Sequence, residues 1–241
     1  GENIMALPKL ITPTYELEVP STDEKIKFRP FLVKEEKILM MAMESKSSAD
    51  ITQAVKDIVT ACTFDKVKID DMPMFDVEYI FLQIRAKSVG EISKLKLLCP
   101  DDKETYADVE IDLNEVKVQV GDNHTNKIEL GNGMGMIMKY PSVDSFADSG
   151  IKDINPSNML EVIGSCILQI FEKKGEKVYE TKDQTKKEVE EFIESLNTKQ
   201  FKDVQQFFET MPKLKHEITI TNPKTKVENK ITLTGLNDFF G

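Results

Sequence analysis

Two short segments with the spacing of a zinc knuckle are the first features of this sequence that could do chemistry. They are Cys99-Pro100-Asp101-Asp102 and Asn222-Pro223-Lys224-Thr225. A knuckle supplies two thiolates about two residues apart, because tetrahedral zinc takes four soft or nitrogen ligands. The first segment has one Cys where a pair is required, and the second has none. We therefore expect two turns without a structural metal ion.

The other cysteines and the histidines do not form a recognisable active site. Cys62, Cys99 and Cys166 are odd in number and irregularly spaced, which predicts reduced thiols in a cytoplasmic protein. His124 and His216 are far apart in the sequence, and neither has neighbours that suggest a catalytic triad or a set of metal ligands. We expect solvated or capping histidines.

Glycine and carboxylate clusters are equally uninformative about catalysis. Residues 131–135 (GNGMG) lack the Lys-Ser/Thr of a phosphate-binding loop and read as a hairpin turn. Asp70-Asp71 and Asp101-Asp102 lie in turns, and the glutamates of residues 188–194 lie on the polar face of a helix. The sequence thus predicts no catalytic residue, no cofactor site and no metal site.

Composition narrows the classes of partner. The chain has 241 residues, with 42 acidic against 32 basic ones and a formal charge of -10. That balance disfavours nucleic acid as a partner, because phosphate binding depends on clustered Lys and Arg. No stretch reaches the roughly 20 apolar residues that span a bilayer, so no membrane association is expected. We also expect no signal peptide and a natural start at Met5.

The elements that would position any site divide the chain into three parts. Residues 5–92 predict a hairpin (15–19 with 26–28) and three helices, the first from 33 to about 46 with Leu32, Ile38, Leu39, Met41 and Ala42 on one broad face. The second helix is expected to be capped by Ser48 or Asp50. The third helix follows Pro73, ends near Gly90 as a left-handed cap, and is apolar nearly all round, which is typical of a buried helix.

The remaining two parts combine strands with helices. Residues 93–141 predict antiparallel strands at 94–98, 106–111, 116–118, 127–130 and 134–138. Residues 142–241 predict a helix from about 155 to 171, a polar loop at 172–184, two more helices, the latter capped by Thr198, and a terminal hairpin (217–221 with 230–234). The fold class is therefore α+β, with antiparallel hairpins or sheet packed against two groups of helices in one compact unit.

Methionines supply one candidate partner-binding surface. Met134, Met136 and Met138 alternate along a predicted strand and so share one face. Methionine adapts to irregular apolar surfaces, so this stripe is either core or a docking site, with core packing the stronger interpretation. A second group, Met40, Met41 and Met43, ends the first helix.

The aromatic end of the chain is a second candidate. Adjacent exposed phenylalanines are costly, so Phe239 and Phe240 either tuck into the core or dock onto another protein. We include both residues, with the three strand methionines, among the predicted partner-binding positions.

Several segments together resemble a known family. They are PKLITPTYEL (8–17), FRPFLVKEEK (28–37), CTF (62–64), PMFDVEY (73–79), RAKSVGE (85–91), MKYP (138–141) and the terminal GLNDFFG (235–241). In these segments the chain resembles the baseplate hub proteins of T4-like contractile-tailed bacteriophages, over nearly its whole length.

The resemblance implies a non-enzymatic late protein that binds phage baseplate hub proteins during tail assembly in the host cytoplasm. It supplies no catalytic motif and no site residue. A permanent structural subunit, present in the tail of the virion, stays open as an alternative. A tail-associated cell-wall hydrolase and a nucleic-acid-binding factor are rivals from other classes.

Overall fold

The computed structural model describes residues 10–45, 47–143, 158–173 and 176–240, excluding the side chains of Ser48, Asn237 and Phe240. The helices are α1 (Val33–Ser45), α2 (Ser48–Cys62), α3 (Met74–Val89), α4 (Met159–Cys166), α5 (Lys186–Glu194), α6 (Thr198–Thr210) and the short α7 (Asn237–Phe240), with 3-10 turns at Ile69–Asp71 and Thr181–Asp183. The strands are β1 (Tyr15–Glu18), β2 (Lys25–Phe28), β3 (Ile92–Leu98), β4 (Tyr106–Asp112), β5 (Lys117–Gln119), β6 (Lys127–Gly131), β7 (Met134–Met138), β8 (Ile167–Glu172), β9 (Lys177–Glu180), β10 (Lys213–Thr221) and β11 (Glu228–Thr234).

All the strand pairings in the described residues are antiparallel. β1 pairs with β2 and β3 with β4, while β5 joins the edge of the β10–β11 hairpin. The remaining strands form a four-stranded sheet in the order β6-β7-β8-β9. These small antiparallel sheets, interleaved with helices, confirm the predicted α+β class.

Helix α3 is the centre of the N-terminal half. Its apolar residues face in several directions, and most of them are buried, as the sequence predicts. On one side Ile80 and Ile84 pack in a cluster with Ile58 of α2 and Phe28 of β2. The backbone amide of Ser21 donates to the carboxylate of Asp76 at 3.0 Å, which fixes the β1–β2 turn onto α3.

The other side of α3 receives the end of the chain. Leu82 and Ala86 share a cluster with Leu214, Leu233 and Phe239. The terminal hairpin therefore packs on a helix more than 120 residues earlier in the sequence. This cluster contains residues from all three predicted parts of the chain, and the four-stranded sheet joins strands from both sides of the 141/142 division.

The predicted helix from about 155 to 171 is wrong at its C-terminal end. Helix α4 stops at Cys166, and the next residues form β8, in which Ile170 pairs with Met136 and Phe171 with Gly135. A short apolar run fits a buried strand as well as a buried helix, so periodicity alone does not separate them. The start expected at 155 lies outside the described residues.

The polar segment that follows is also more regular than predicted. Residues 172–184 include β9, which pairs with β8, and the 3-10 turn Thr181–Asp183. Strand β8 has an open edge after pairing with β7, and β9 satisfies the backbone groups on that edge.

Three helix ends differ slightly from the predictions. Ser47 caps α2 and Asn197 caps α6, each one residue from a predicted capping position. Gly90 ends α3 with φ +127° and ψ 155°, an extended backbone at positive φ rather than the left-handed cap expected.

Candidate protein-interaction surface

Helix α1 contacts the rest of the protein along a narrow stripe. Glu35 and Ala42 are buried and Leu39 is half-buried, whereas the remaining described residues of the helix are mostly exposed. Of the five residues predicted on one broad apolar face, only Ala42 is buried and Leu39 half-buried, while Leu32, Ile38 and Met41 are exposed. The apolar residues of α1 are distributed around the helix, and of these only Leu39 and Ala42 are half-buried or buried.

The outward side of α1 is unusually apolar for exposed surface. Val33 is 80% exposed, Met40 58% and Met41 60%, and Met43 is half exposed. Val33 and Met40 are seven residues apart, so they lie two turns apart on the same side of the helix. Glu36 and Lys37, both exposed, lie between Val33 and Met40 on that side. Several exposed apolar side chains on one helix, with charged ones among them, favour a protein-interaction site.

A groove continues this surface beyond the start of the helix. It has a volume of about 990 Å³ and lies between the segment before α1 and the end of α3. Its exposed apolar lining residues are Leu10, Leu32, Val33 and Val89. The backbone amide of Phe31 donates to Ser88 Oγ at 2.9 Å, which holds the two walls together. We refer to Leu32, Val33, Met40, Met41, Met43 and Val89 as the α1 surface.

A buried ion pair fixes the base of the α1 surface. Arg29 Nη2 lies 2.9 Å from Glu35 Oε1, and the backbone amide of Leu32 donates to Glu35 Oε2 at 2.7 Å. Arg29 is itself held at the end of α2, because its backbone amide donates to the carbonyl oxygen of Cys62 at 2.9 Å. Helix α1 is thereby joined to both β2 and α2.

The electrostatics of this pair favour its charged form. Burial by itself would raise the pKa of Glu35, but the hydrogen bonds from Arg29 and from the Leu32 amide outweigh it and lower the pKa. The hydrogen bond to Glu35 in turn raises the pKa of Arg29. The carboxylate at the third position of α1 also satisfies a free amide at the helix start.

The predicted methionine stripe of β7 lies in the core. Met136 is 0% and Met138 1% exposed, and Met134 is half-buried. All three pack in one cluster with residues of α4, α5 and α6, which agrees with the shared face expected from their spacing. The burial of Met136 and Met138 favours the core interpretation over docking, because side chains with almost no exposed area offer a partner no contact, while Met134 keeps some exposed area.

The aromatic terminus is also folded inward as far as the structure describes it. Phe239 is fully buried in the cluster that joins α3 to the terminal hairpin. Its carbonyl oxygen accepts a hydrogen bond from Ser93 Oγ at 2.8 Å. The side chain of Phe240 lies outside the described residues.

The thiols are poorly suited to nucleophilic chemistry. Cys62, Cys99 and Cys166 are free and buried. Burial raises the pKa of Cys62 and of Cys166 to about 11, so both are protonated near neutral pH. Across the described ranges, no group of three or more His, Cys, Asp or Glu residues is placed to hold a metal ion.

The histidines occupy different elements. His124 is half-buried rather than solvated: its Nδ1 lies 2.9 Å from Thr210 Oγ1 and its Nε2 3.0 Å from Tyr140 Oη. Burial lowers the pKa of His124, which favours the neutral ring. His216 lies in β10 opposite Leu233. His124 thus connects α6 to the segment after β7.

Sequence reasoning singled out Met40, Met41 and Met43 as a group and placed Leu32 on the broad face of the first helix, but it did not single out Val33 or Val89. The available signal was the pattern of α1 itself. Its apolar residues are interrupted by Glu35 and spread around the helix, so one buried face could not accommodate all of them.

Comparison with known proteins identifies a family. The family model described as "T4 bacteriophage base plate protein" matches residues 12–241. Comparisons with curated proteins and with solved structures gave no match. No helix in the described part of the chain is both long and apolar enough to cross a membrane.

Proposed function

Because the chain belongs to the family of T4 bacteriophage base plate proteins, we propose that it is a baseplate hub assembly protein. In this role it binds hub subunits during tail morphogenesis and catalyses no covalent reaction. The baseplate role follows from the family. The hub as the location and assembly as the task are our proposal.

The α1 surface is the observation that supports this function. An assembly protein must present an apolar face before its partner arrives, and the exposed side chains Val33, Met40 and Met41 do so. Methionines pack well against irregular apolar surfaces because their side chains are unbranched and polarizable. A hub subunit that covered this face would remove several apolar side chains from water at once.

The buried pair of Arg29 and Glu35 supports the same role. A helix held in place before binding loses less conformational freedom when a partner docks. The pair, together with the Leu32 amide, fixes the first turn of α1 against β2 and α2. The α1 surface is therefore presented in an orientation suitable for docking.

The overall charge is consistent with a binding protein that acts in the host cytoplasm during phage assembly. A net charge of -10 opposes self-association between copies of the chain. The same charge disfavours DNA as the main partner, since phosphate contacts require clustered cations.

Two alternatives remain distinct from this proposal. A permanent structural subunit would use the same α1 surface but would stay in the tail of the finished virion. A tail-associated cell-wall hydrolase would need paired carboxylates in a cleft. A peptidoglycan hydrolysis assay on the purified protein tests the second alternative directly.

Affinity capture from phage-infected cells tests the proposed function. The tagged wild-type chain is compared with a Met40→Lys/Met41→Lys variant, and captured proteins and mature particles are both analysed by mass spectrometry. We expect hub subunits with the wild-type chain, about tenfold less with the variant, and no chain in mature particles. A tenfold loss corresponds to about 1.4 kcal/mol, a modest effect for two interface residues.

The matched control is Val120→Lys/Val178→Lys. These side chains are 58% and 55% exposed, close to Met40 and Met41, and the change in charge is the same. The control is expected to capture hub subunits as the wild type does. Recovery of the chain in mature particles would favour the permanent subunit, and capture without any baseplate protein would contradict both.

A further inference from the structure

The two knuckle-like segments form turns with the same backbone hydrogen bonds. The amide of Lys103 donates to the carbonyl oxygen of Cys99, and the amide of Lys226 donates to that of Asn222, both at 2.9 Å. Lys103 and Lys226 are also both left-handed, with φ of 56° and 65°. The two turns therefore share a local geometry as well as a second-position proline.

The two turns lie against each other, although about 120 residues separate them. The carboxylate of Asp101 accepts hydrogen bonds from Asn222 Nδ2 at 2.9 Å, Asn229 Nδ2 at 2.9 Å and Thr225 Oγ1 at 2.5 Å. The backbone amide of Asp101 donates to Asn229 Oδ1 at 3.1 Å. One carboxylate thus joins both turns across the contact.

Beneath the turns the two hairpins share a small apolar cluster. Cys99 and Ala107 of the β3–β4 hairpin are buried there with Ile220 of the β10–β11 hairpin. Two hairpins whose turns meet above a small core have the arrangement of a zinc ribbon, in which each turn supplies two ligands.

The ligand positions can be read from the spacing. The first and fourth residues of each turn are Cys99 with Asp102 and Asn222 with Thr225, which is the separation of paired thiolate ligands. Only Cys99 has a soft ligand atom. The side chains of Asp102 and Asn222 instead close their own turns: Asp102 Oδ1 accepts from the Thr105 amide at 3.0 Å, and Asn222 Oδ1 accepts from the Lys224 amide at 2.8 Å.

We propose that the two turns are the frame of a zinc ribbon in which hydrogen bonds to the Asp101 carboxylate take the place of the metal ion. The carboxylate accepts hydrogen bonds from Asn222, Thr225 and Asn229 of the other turn and hairpin. A zinc ion would join the same two turns through four thiolates. This inference does not depend on the proposed hub function.

The electrostatics of the contact are consistent with this role. The hydrogen bonds from Asn222 and Thr225 lower the pKa of Asp101, so the carboxylate is ionised at neutral pH.

Placing cysteines at the four ligand positions tests whether the two turns have the geometry of a zinc ribbon. In the full chain, Asp102→Cys, Asn222→Cys and Thr225→Cys are combined, so that Cys99 becomes one of four thiols. We expect one zinc per chain after dialysis, a Co²⁺ spectrum typical of a tetrahedral thiolate site, and a zinc-dependent rise in Tm. The wild-type chain is expected to retain no zinc.

The matched control places the same number of thiols at other positions in the same two turns. It combines Lys103→Cys, Lys224→Cys and Lys226→Cys, and we expect no tetrahedral Co²⁺ spectrum from it. The proposal is overturned if the first variant folds by circular dichroism and retains no more zinc than this control. Zinc in the wild-type chain would also overturn it.

A second measurement keeps the proposal testable if the first variant does not fold. In Asp101→Asn, amide hydrogen exchange is measured at Lys103 and at Lys226. We expect exchange to rise about tenfold or more at both, because one side chain joins the two turns, and to stay unchanged in the exposed control Asp108→Asn. A rise at Lys103 alone would show that Asp101 stabilises only its own turn and would contradict the proposal.

Discussion

The guanidinium Nη2 of Arg29 lies 2.9 Å from Oε1 of Glu35, and both side chains are almost closed off from solvent. Arg29 directly follows β2, and Glu35 is the third residue of α1, so the pair joins a strand end to a helix start. The pair therefore fixes the N-terminal end of α1, the helix that carries the exposed apolar side chains.

Removing the cation of this pair is expected to be costly. In Arg29→Met the carboxylate of Glu35 stays buried without its partner, and we expect a loss of about 3–5 kcal/mol in the free energy of unfolding. The control Lys34→Met removes a cation 3.4 Å from Glu35 that is itself exposed, and its cost is expected to stay below about 1 kcal/mol. Urea denaturation measures both, and equal losses would contradict the anchoring role of Arg29.

Stability is expected to depend on pH through Glu78, which lies under the terminal segment. Its Oε1 accepts from the Leu236 amide at 3.2 Å, and burial raises the pKa of Glu78 from 4.5 to about 7. Between these pH values the folded chain keeps the proton while the unfolded chain releases it, so raising the pH favours unfolding. The stability contributed by protonated Glu78 is fully lost once the pH has risen above about 7.

The Glu78→Gln variant isolates this effect, because it cannot ionise and its amide oxygen can still accept from Leu236. The wild type is expected to lose stability as the pH rises and the variant is not. The difference between their free energies of unfolding is therefore expected to grow by about 1–3 kcal/mol in favour of the variant between pH 4.5 and pH 8. Urea titrations at several pH values measure the difference, with Glu36→Gln on the exposed side of α1 as the control. A difference that does not change with pH would contradict the prediction.

Truncation is expected to destabilise the protein in the β7 methionine group and to have little effect in the α1 group. Met136→Ala leaves a cavity in the cluster between β7 and the helices, and we expect a cost of about 2–5 kcal/mol in the free energy of unfolding. Met40→Ala removes an exposed side chain, and its effect is expected to stay within about 0.5 kcal/mol. Denaturant titration measures the free energy of unfolding of both variants. If Met136→Ala did not lower it, a partner-binding role for the β7 methionines would again be the better interpretation.

The buried terminus is expected to contribute to stability without any partner present. Phe239→Ala should cost about 3–5 kcal/mol in the free energy of unfolding, because its ring is fully buried between α3 and the terminal hairpin. Tyr106→Ala, which truncates an exposed aromatic ring, serves as the control. If Phe239 served only to contact another protein, the isolated chain would unfold at the same denaturant concentration with and without its ring.

Local sequence signals account well for the hairpins and poorly for one helix. Alternating apolar residues around Pro100 and Pro223 predict the β3–β4 and β10–β11 hairpins, because turn chemistry and strand period act over a few residues. At residues 167–172 the same kind of reasoning fails. The apolar run becomes β8 because it pairs with β7, whose partner residues lie 29 to 38 positions earlier in the sequence.

The sequence by itself determined the α+β class, the family resemblance and the buried character of α3. These follow from composition, spacing and short-range turn signals. Tertiary structure alone decided that Met136, Met138 and Phe239 are buried and that Met40 and Met41 are exposed. It also brought Asp101 to Asn222. The reason is physical: burial and contact depend on which elements pack together, and Asp101 and Asn222, for example, are 121 residues apart in the sequence.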